Sequence, residues 1–155
     1  MGIEELTPLE ALGVAICAES AEGGEVYSEL AVRVSNEFLR QKIELLAKEE
    51  LQHNRILEKM YKKQFPDVTP VLPSSQLPKE ISCQTERDQL SVRDTLCCAI
   101  EQEQKSRGFY LEAALKGADL TGDAMFNFLA DWEFSHQMAL SAEYGMGIRY
   151  AHDYF

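Results

Sequence analysis

Apolar residues recur at three- and four-residue steps over four long stretches, the period of a helix with one buried face. The first stretch opens at Thr7-Pro8-Leu9-Glu10. Threonine suits the N-cap, proline the first helical position, and glutamate completes a capping box. A helix is predicted from there to about Val34. Ser35-Asn36 offers the cap of a second helix ending near Gln64. Ser91-Val92-Arg93-Asp94 opens a third, which ends around Gly117. The fourth follows Thr121-Gly122 and is expected to stop near Gly145-Met146-Gly147, glycine being the usual left-handed residue just past a helix end. Phe38, Leu39, Ile43, Leu46, Phe126 and Leu129 read as core positions.

Residues 65–90 break the pattern. They hold four of the five prolines, Pro66, Pro70, Pro73 and Pro78, and proline at that density excludes regular helix. The segment is too long for a tight turn and reads as a crossover along the outside of a bundle. A flexible linker between two domains would leave each half as a hairpin with no partner for its apolar face. The expected architecture is therefore all-α: one domain over residues 1–155, a four-helix bundle of two hairpins with a long crossover between helices 2 and 3.

The two hairpins resemble each other. Tyr27 aligns with Tyr110, Glu50 with Glu133, His53 with His136 and Tyr61 with Tyr144, all at an offset of 83 residues. Upstream, Ala15-Ile16 aligns with Ala99-Ile100 and Glu19 with Glu103, at an offset of 84. The first half thus carries one extra residue between Glu19 and Tyr27. A π-bulge absorbs one residue in a helix, and the weak helix formers in Glu22-Gly23-Gly24-Glu25 mark a soft place for it.

The repeat places a Glu-x-x-His pair in each half: Glu50 with His53, and Glu133 with His136. Positions three apart share a helix face, so each pair aims a carboxylate and an imidazole at one point. With Glu19 and Glu103 the set is four carboxylates and two imidazoles. It matches the known ligand pattern of di-iron and di-manganese four-helix bundles, a glutamate from each of two helices and a Glu-x-x-His pair from each of the others. Four carboxylates neutralise two divalent ions, whereas without metal they repel one another and lose hydration. Mixed oxygen and nitrogen ligands suit iron or manganese, with zinc as a possible occupant. Tyr27 and Tyr110 lie about two turns beyond the lone glutamates, where each either hydrogen-bonds a ligand carboxylate or packs as a core aromatic.

Composition narrows the partners. The 155 residues carry a net charge of −11, which disfavours nucleic acid and anionic membrane surfaces and favours cations. No apolar run is long enough to span a membrane, and Met1-Gly2-Ile3-Glu4-Glu5 lacks the basic start of a signal peptide, so a cytoplasmic protein is expected. The cysteines, Cys17, Cys83, Cys97 and Cys98, lack the spacing of a thiolate metal site and read as free packed thiols, with Cys97-Cys98 as a redox pair the alternative.

On these residues the chain resembles the rubrerythrin branch of the ferritin-like superfamily, over roughly residues 7 to 145. The resemblance implies a non-haem di-iron centre held by Glu19, Glu50, His53, Glu103, Glu133 and His136. It implies reaction with hydrogen peroxide or dioxygen, and assembly into homodimers or larger homo-oligomers. Two departures stand out. Better-known members carry a rubredoxin domain with four cysteine ligands; here the electron donor is expected to be a separate protein. They also carry a second glutamate three residues after the third-helix ligand, where this chain has Ser106; Glu22, three residues after Glu19, is the candidate substitute. The leading expectation is a di-iron peroxidase or oxidase. The alternatives are ferroxidase chemistry with Fe²⁺ as substrate and iron storage, a di-iron hydroxylase, and a bundle with structural metal only.

Overall fold

The structure, a computed structural model, describes residues 8–18, 25–68, 91–116 and 120–149. Among them run five helices: α1 (Pro8–Ala18), α2 (Glu25–Arg33), α3 (Glu37–Gln64), α4 (Val92–Lys116) and α5 (Leu120–Arg149). The architecture is the expected all-α bundle. Helices α1 and α2 occupy the two ends of the span read as one first helix. Residues 19–24 between them, and with them the expected π-bulge, lie outside the described residues. So do Gly117 and residues 69–90, most of the expected crossover.

Local chemistry starts α3 and α4 where the sequence implies, while α5 begins at Leu120, ahead of the Thr121-Gly122 expected to precede it. The Asn36 side chain accepts a hydrogen bond from the Leu39 amide at 3.1 Å, from an extended backbone, and caps α3. Ser91 does the same for α4, its hydroxyl accepting from the Asp94 amide at 3.1 Å and donating to the Asp94 carboxylate at 2.8 Å. Along α3 the buried residues are Leu39, Ile43, Leu46, Glu50, His53, Asn54, Leu57 and Tyr61, a stripe at three- and four-residue steps. Phe38 sits about 100° around the helix from that stripe and is 77% exposed, so it is not a core residue as its hydrophobicity implied.

The end of the last helix also differs from expectation. Helix α5 runs through Gly145 and Gly147 to Arg149. A glycine inside a helix costs only about 1 kcal/mol. Tyr144 packs on the core and Gly147 is buried, so the helix is anchored on both sides of Gly145. A methyl group added at Gly145 meets nothing within 4 Å. Gly145→Ala is therefore expected to stabilise the fold by about 0.5–1 kcal/mol, read as a raised denaturation midpoint in urea. A lowered midpoint would show that the glycine serves a need the helix does not reveal.

The apolar interior forms two clusters. One joins α1 (Leu12, Ala15, Ile16) to Leu57 and Tyr61 of α3, Phe109 and Tyr110 of α4, and Phe126, Leu129 and Ala130 of α5. The other joins α2 (Tyr27, Leu30, Ala31) to Leu39, Ile43 and Leu46 of α3, Leu96 and Ala99 of α4, and Leu140 of α5. Along α3 the step between them falls at Glu50 and His53, and along α5 at Glu133 and His136. A buried polar layer therefore separates two apolar ends. The α1 end is tied to it by Asn54, whose amide donates to the Ile16 carbonyl at 2.9 Å.

Candidate metal centre

Two helices present the layer's main groups. Glu50 and His53 share a face of α3, and Glu133 and His136 share a face of α5. All four are buried, none more than 3% exposed. One ligand atom from each lies within 4.8 Å of those of the other three. Nδ1 of His136 is 2.7 Å from Glu50 Oε1 and 3.7 Å from Glu103 Oε2. Nδ1 of His53 is 3.8 Å from Glu50 Oε2 and 4.0 Å from Glu133 Oε1. Both imidazoles thus turn the same nitrogen toward the carboxylates, and their rings stack with centroids 5.3 Å apart.

Helix α4 supplies Glu103, 3% exposed, on the His136 side of the layer. The Tyr27 hydroxyl of α2 donates a hydrogen bond to Glu103 Oε1, the hydrogen-bonding alternative read for this tyrosine. Burial, reinforced by Glu103, Glu50 and Glu133, raises the Tyr27 phenol well above its ordinary value, so it remains a donor. The ring of Tyr110 packs in the α1-end cluster, against Phe109 and Phe126. Ser106 is buried one turn after Glu103. Glu19 and Glu22 lie outside the described residues. Cys97 is exposed and Cys98 half-buried, neither in a disulfide, so Cys97 is not the packed thiol expected.

These groups fit a pair of divalent cations. Three carboxylates buried together are costly unless positive charge neutralises them. Glu103 Oε2 and His136 Nδ1 are buried, lie 3.7 Å apart and converge on the same space. Such a convergence suits metal ligation. A proton is its nearest substitute: burial alone would lower the His136 pKa, but Glu103 and Glu50 overcome it and raise the pKa from 6.5 to about 11.

Two residues at the site were not singled out in the sequence. Glu49, half-buried, brings Oε2 to 3.0 Å from Nε2 of His136, on the far side of the ring from the carboxylates. Trp132 packs edge-on against His53, centroids 3.9 Å apart. Each immediately precedes a ligand glutamate, which is the signal that marks them. Beyond Glu49 a cavity of about 340 Å³ opens between α3 and α5. Leu39, Ile43, Leu46 and Leu140 line it, and a Lys42–Glu143 ion pair stands at its edge.

Comparison with known proteins agrees with this geometry. A family model described as Rubrerythrin matches residues 10–144. A solved structure of a hypothetical protein from Pyrococcus furiosus is similar, with a TM-score of 0.79 and 29% identity, over 97% of this chain and 98% of that one. No curated protein matches the chain.

Proposed function

This chain belongs to the rubrerythrin family, and on that premise we propose that its buried glutamate–histidine layer is a di-iron centre that reduces hydrogen peroxide or dioxygen. The observation that carries the reading is the convergence of Glu50, His53, Glu133 and His136 within 4.8 Å in a buried layer. Two bound iron ions would supply the two electrons of the reduction and polarise the oxygen substrate. Manganese or zinc are the other metals the ligand set accepts.

The roles follow from position. Glu50, near both imidazoles, would be shared between two ions, and Glu133, near His53, would hold the ion on that side and is assigned as the second shared carboxylate. His53 and His136 each give one neutral nitrogen. Glu103 closes the His136 side and Glu19 is assigned the matching place on the other. Tyr27 holds Glu103 in one orientation and keeps its own proton. Glu22 remains the candidate for the carboxylate that Ser106 does not provide. The full chain is read as one domain with residues 65–90 as its crossover. It acts in the cytoplasm as a homodimer or larger homo-oligomer and takes electrons from a separate donor protein. No helix among the described residues is long and apolar enough to cross a membrane.

Anaerobic protein loaded with Fe²⁺ tests the reading. On mixing with peroxide, two ferrous ions should be oxidised per peroxide consumed, with oxidised iron staying at two ions per chain. Continued uptake and oxidation of added Fe²⁺ beyond that ratio would assign the protein to iron storage instead.

One observation favours a second reading, oxidation of a small organic substrate. The cavity between α3 and α5 is lined mainly by aliphatic side chains and reaches His136 and Glu49. Its volume lies at the lower end of that of small-molecule sites.

A further inference from the structure

The residue before the glutamate of each Glu-x-x-His pair crosses the bundle to the other half's histidine. Glu49 on α3 reaches His136 on α5, and Trp132 on α5 reaches His53 on α3. The two occupy the same place in the repeat, at the 83-residue offset. They make the same crossing with different chemistry. Glu49 sets a carboxylate oxygen 3.0 Å from the outer nitrogen of its histidine. Trp132 offers an indole, which has no acceptor atom, with its plane at 75° to the imidazole.

We propose that Glu49 and Trp132 make the two metal positions unequal, the ion held by His136 being bound more tightly than the ion held by His53. The inference rests on the reading that the layer holds two ions. A carboxylate that accepts the outer N–H of a metal-bound imidazole fixes the ring and makes its inner nitrogen a stronger donor. Loss of such a partner typically costs about 10–100-fold in metal affinity. An indole packs its ring in place and adds no negative charge to it.

One effect opposes this order. Tyr27 donates to Glu103, on the His136 side, and draws some charge from that ligand. A neutral hydroxyl shifts less charge than a whole carboxylate supplies, so Glu49 prevails. Its side chain is 32% exposed, which screens the charge and places the effect toward the lower end of the range.

The test is titration of Co²⁺ into the metal-free full-length protein, followed by calorimetry and by the visible absorption of the bound ion. Two steps of one ion each are expected, about tenfold or more apart in affinity. Glu49→Gln, at a partly exposed position, should weaken the tighter step by about 10–100-fold and leave the other step in place. Trp132→Glu should strengthen the weaker step. Two ions bound with equal affinity in the unaltered protein would overturn the inference and spare the two-metal reading. So would a Glu49→Gln variant that weakens both steps alike, since a purely structural role predicts that. Fewer than two ions per chain would overturn both.

Discussion

Glu50→Ala and Glu133→Ala are each expected to reduce bound iron from two ions per chain to one or none. Glu50 lies within 4 Å of both imidazoles, so its removal would strip a donor placed to serve both ions. Glu133 is 2% exposed on the facing helix and lies nearest His53. Alanine leaves a cavity and an uneven charge in a buried layer. Glu58, exposed on the outer face of α3, is the control, and Glu58→Ala should retain both ions. Elemental analysis after anaerobic reconstitution measures the ratio. Two ions retained in both buried variants would show that other carboxylates bridge.

Metal and protons compete for the same nitrogen, and a large stability effect follows. His136 has its folded pKa raised to about 11 from an ordinary 6.5. A group raised in this way contributes stability that is fully present below the unfolded value. The contribution is lost as pH rises through 6.5 toward the folded value. Metal-free protein should therefore melt at progressively lower temperature above about pH 6.5, and His136→Gln should lack that part of the slope. Divalent metal must displace the proton, so binding at neutral pH should release it to the buffer. Metal at about 100 times its Kd adds about 2.7 kcal/mol per site to the folded state. For a chain of this size that is a rise in Tm of about 5–11 °C per site. Thermal melts between pH 6.5 and 9, with and without Fe²⁺ or Mn²⁺, decide the matter. A metal-free Tm with the same pH slope in wild type and His136→Gln would refute the link.

The parts of the fold that local chemistry controls were legible in the sequence. Asn36 and Ser91 cap their helices through contacts three residues long, and no distant partner is needed to make them. The two Glu-x-x-His pairs were legible because helical spacing alone puts both groups on one face, and duplication made coincidence implausible. Phe38 misled because hydrophobicity was read without its angular place; Leu39, one step on, holds the buried position. The stop expected at Gly145 failed for a related reason. A glycine's cost is local and small, while the packing of Tyr144 and Gly147 that outweighs it is tertiary. Glu49 and Trp132 stayed hidden because the repeat was read for identities, and these positions differ. Which helix each would reach depends on how α3 and α5 face one another, a property no single helix carries.

Both apolar clusters and the layer between them take residues from each half of the chain. Neither hairpin completes any of the three. That is the composition a twofold dimer of one such hairpin would have, with its two copies joined end to end. While such halves are separate copies of one gene product, every mutation lands twice, and both histidines face the same neighbour. Fusion ends that constraint. Glu49 against one imidazole and Trp132 against the other is an arrangement that identical subunits cannot reach, and a single chain can.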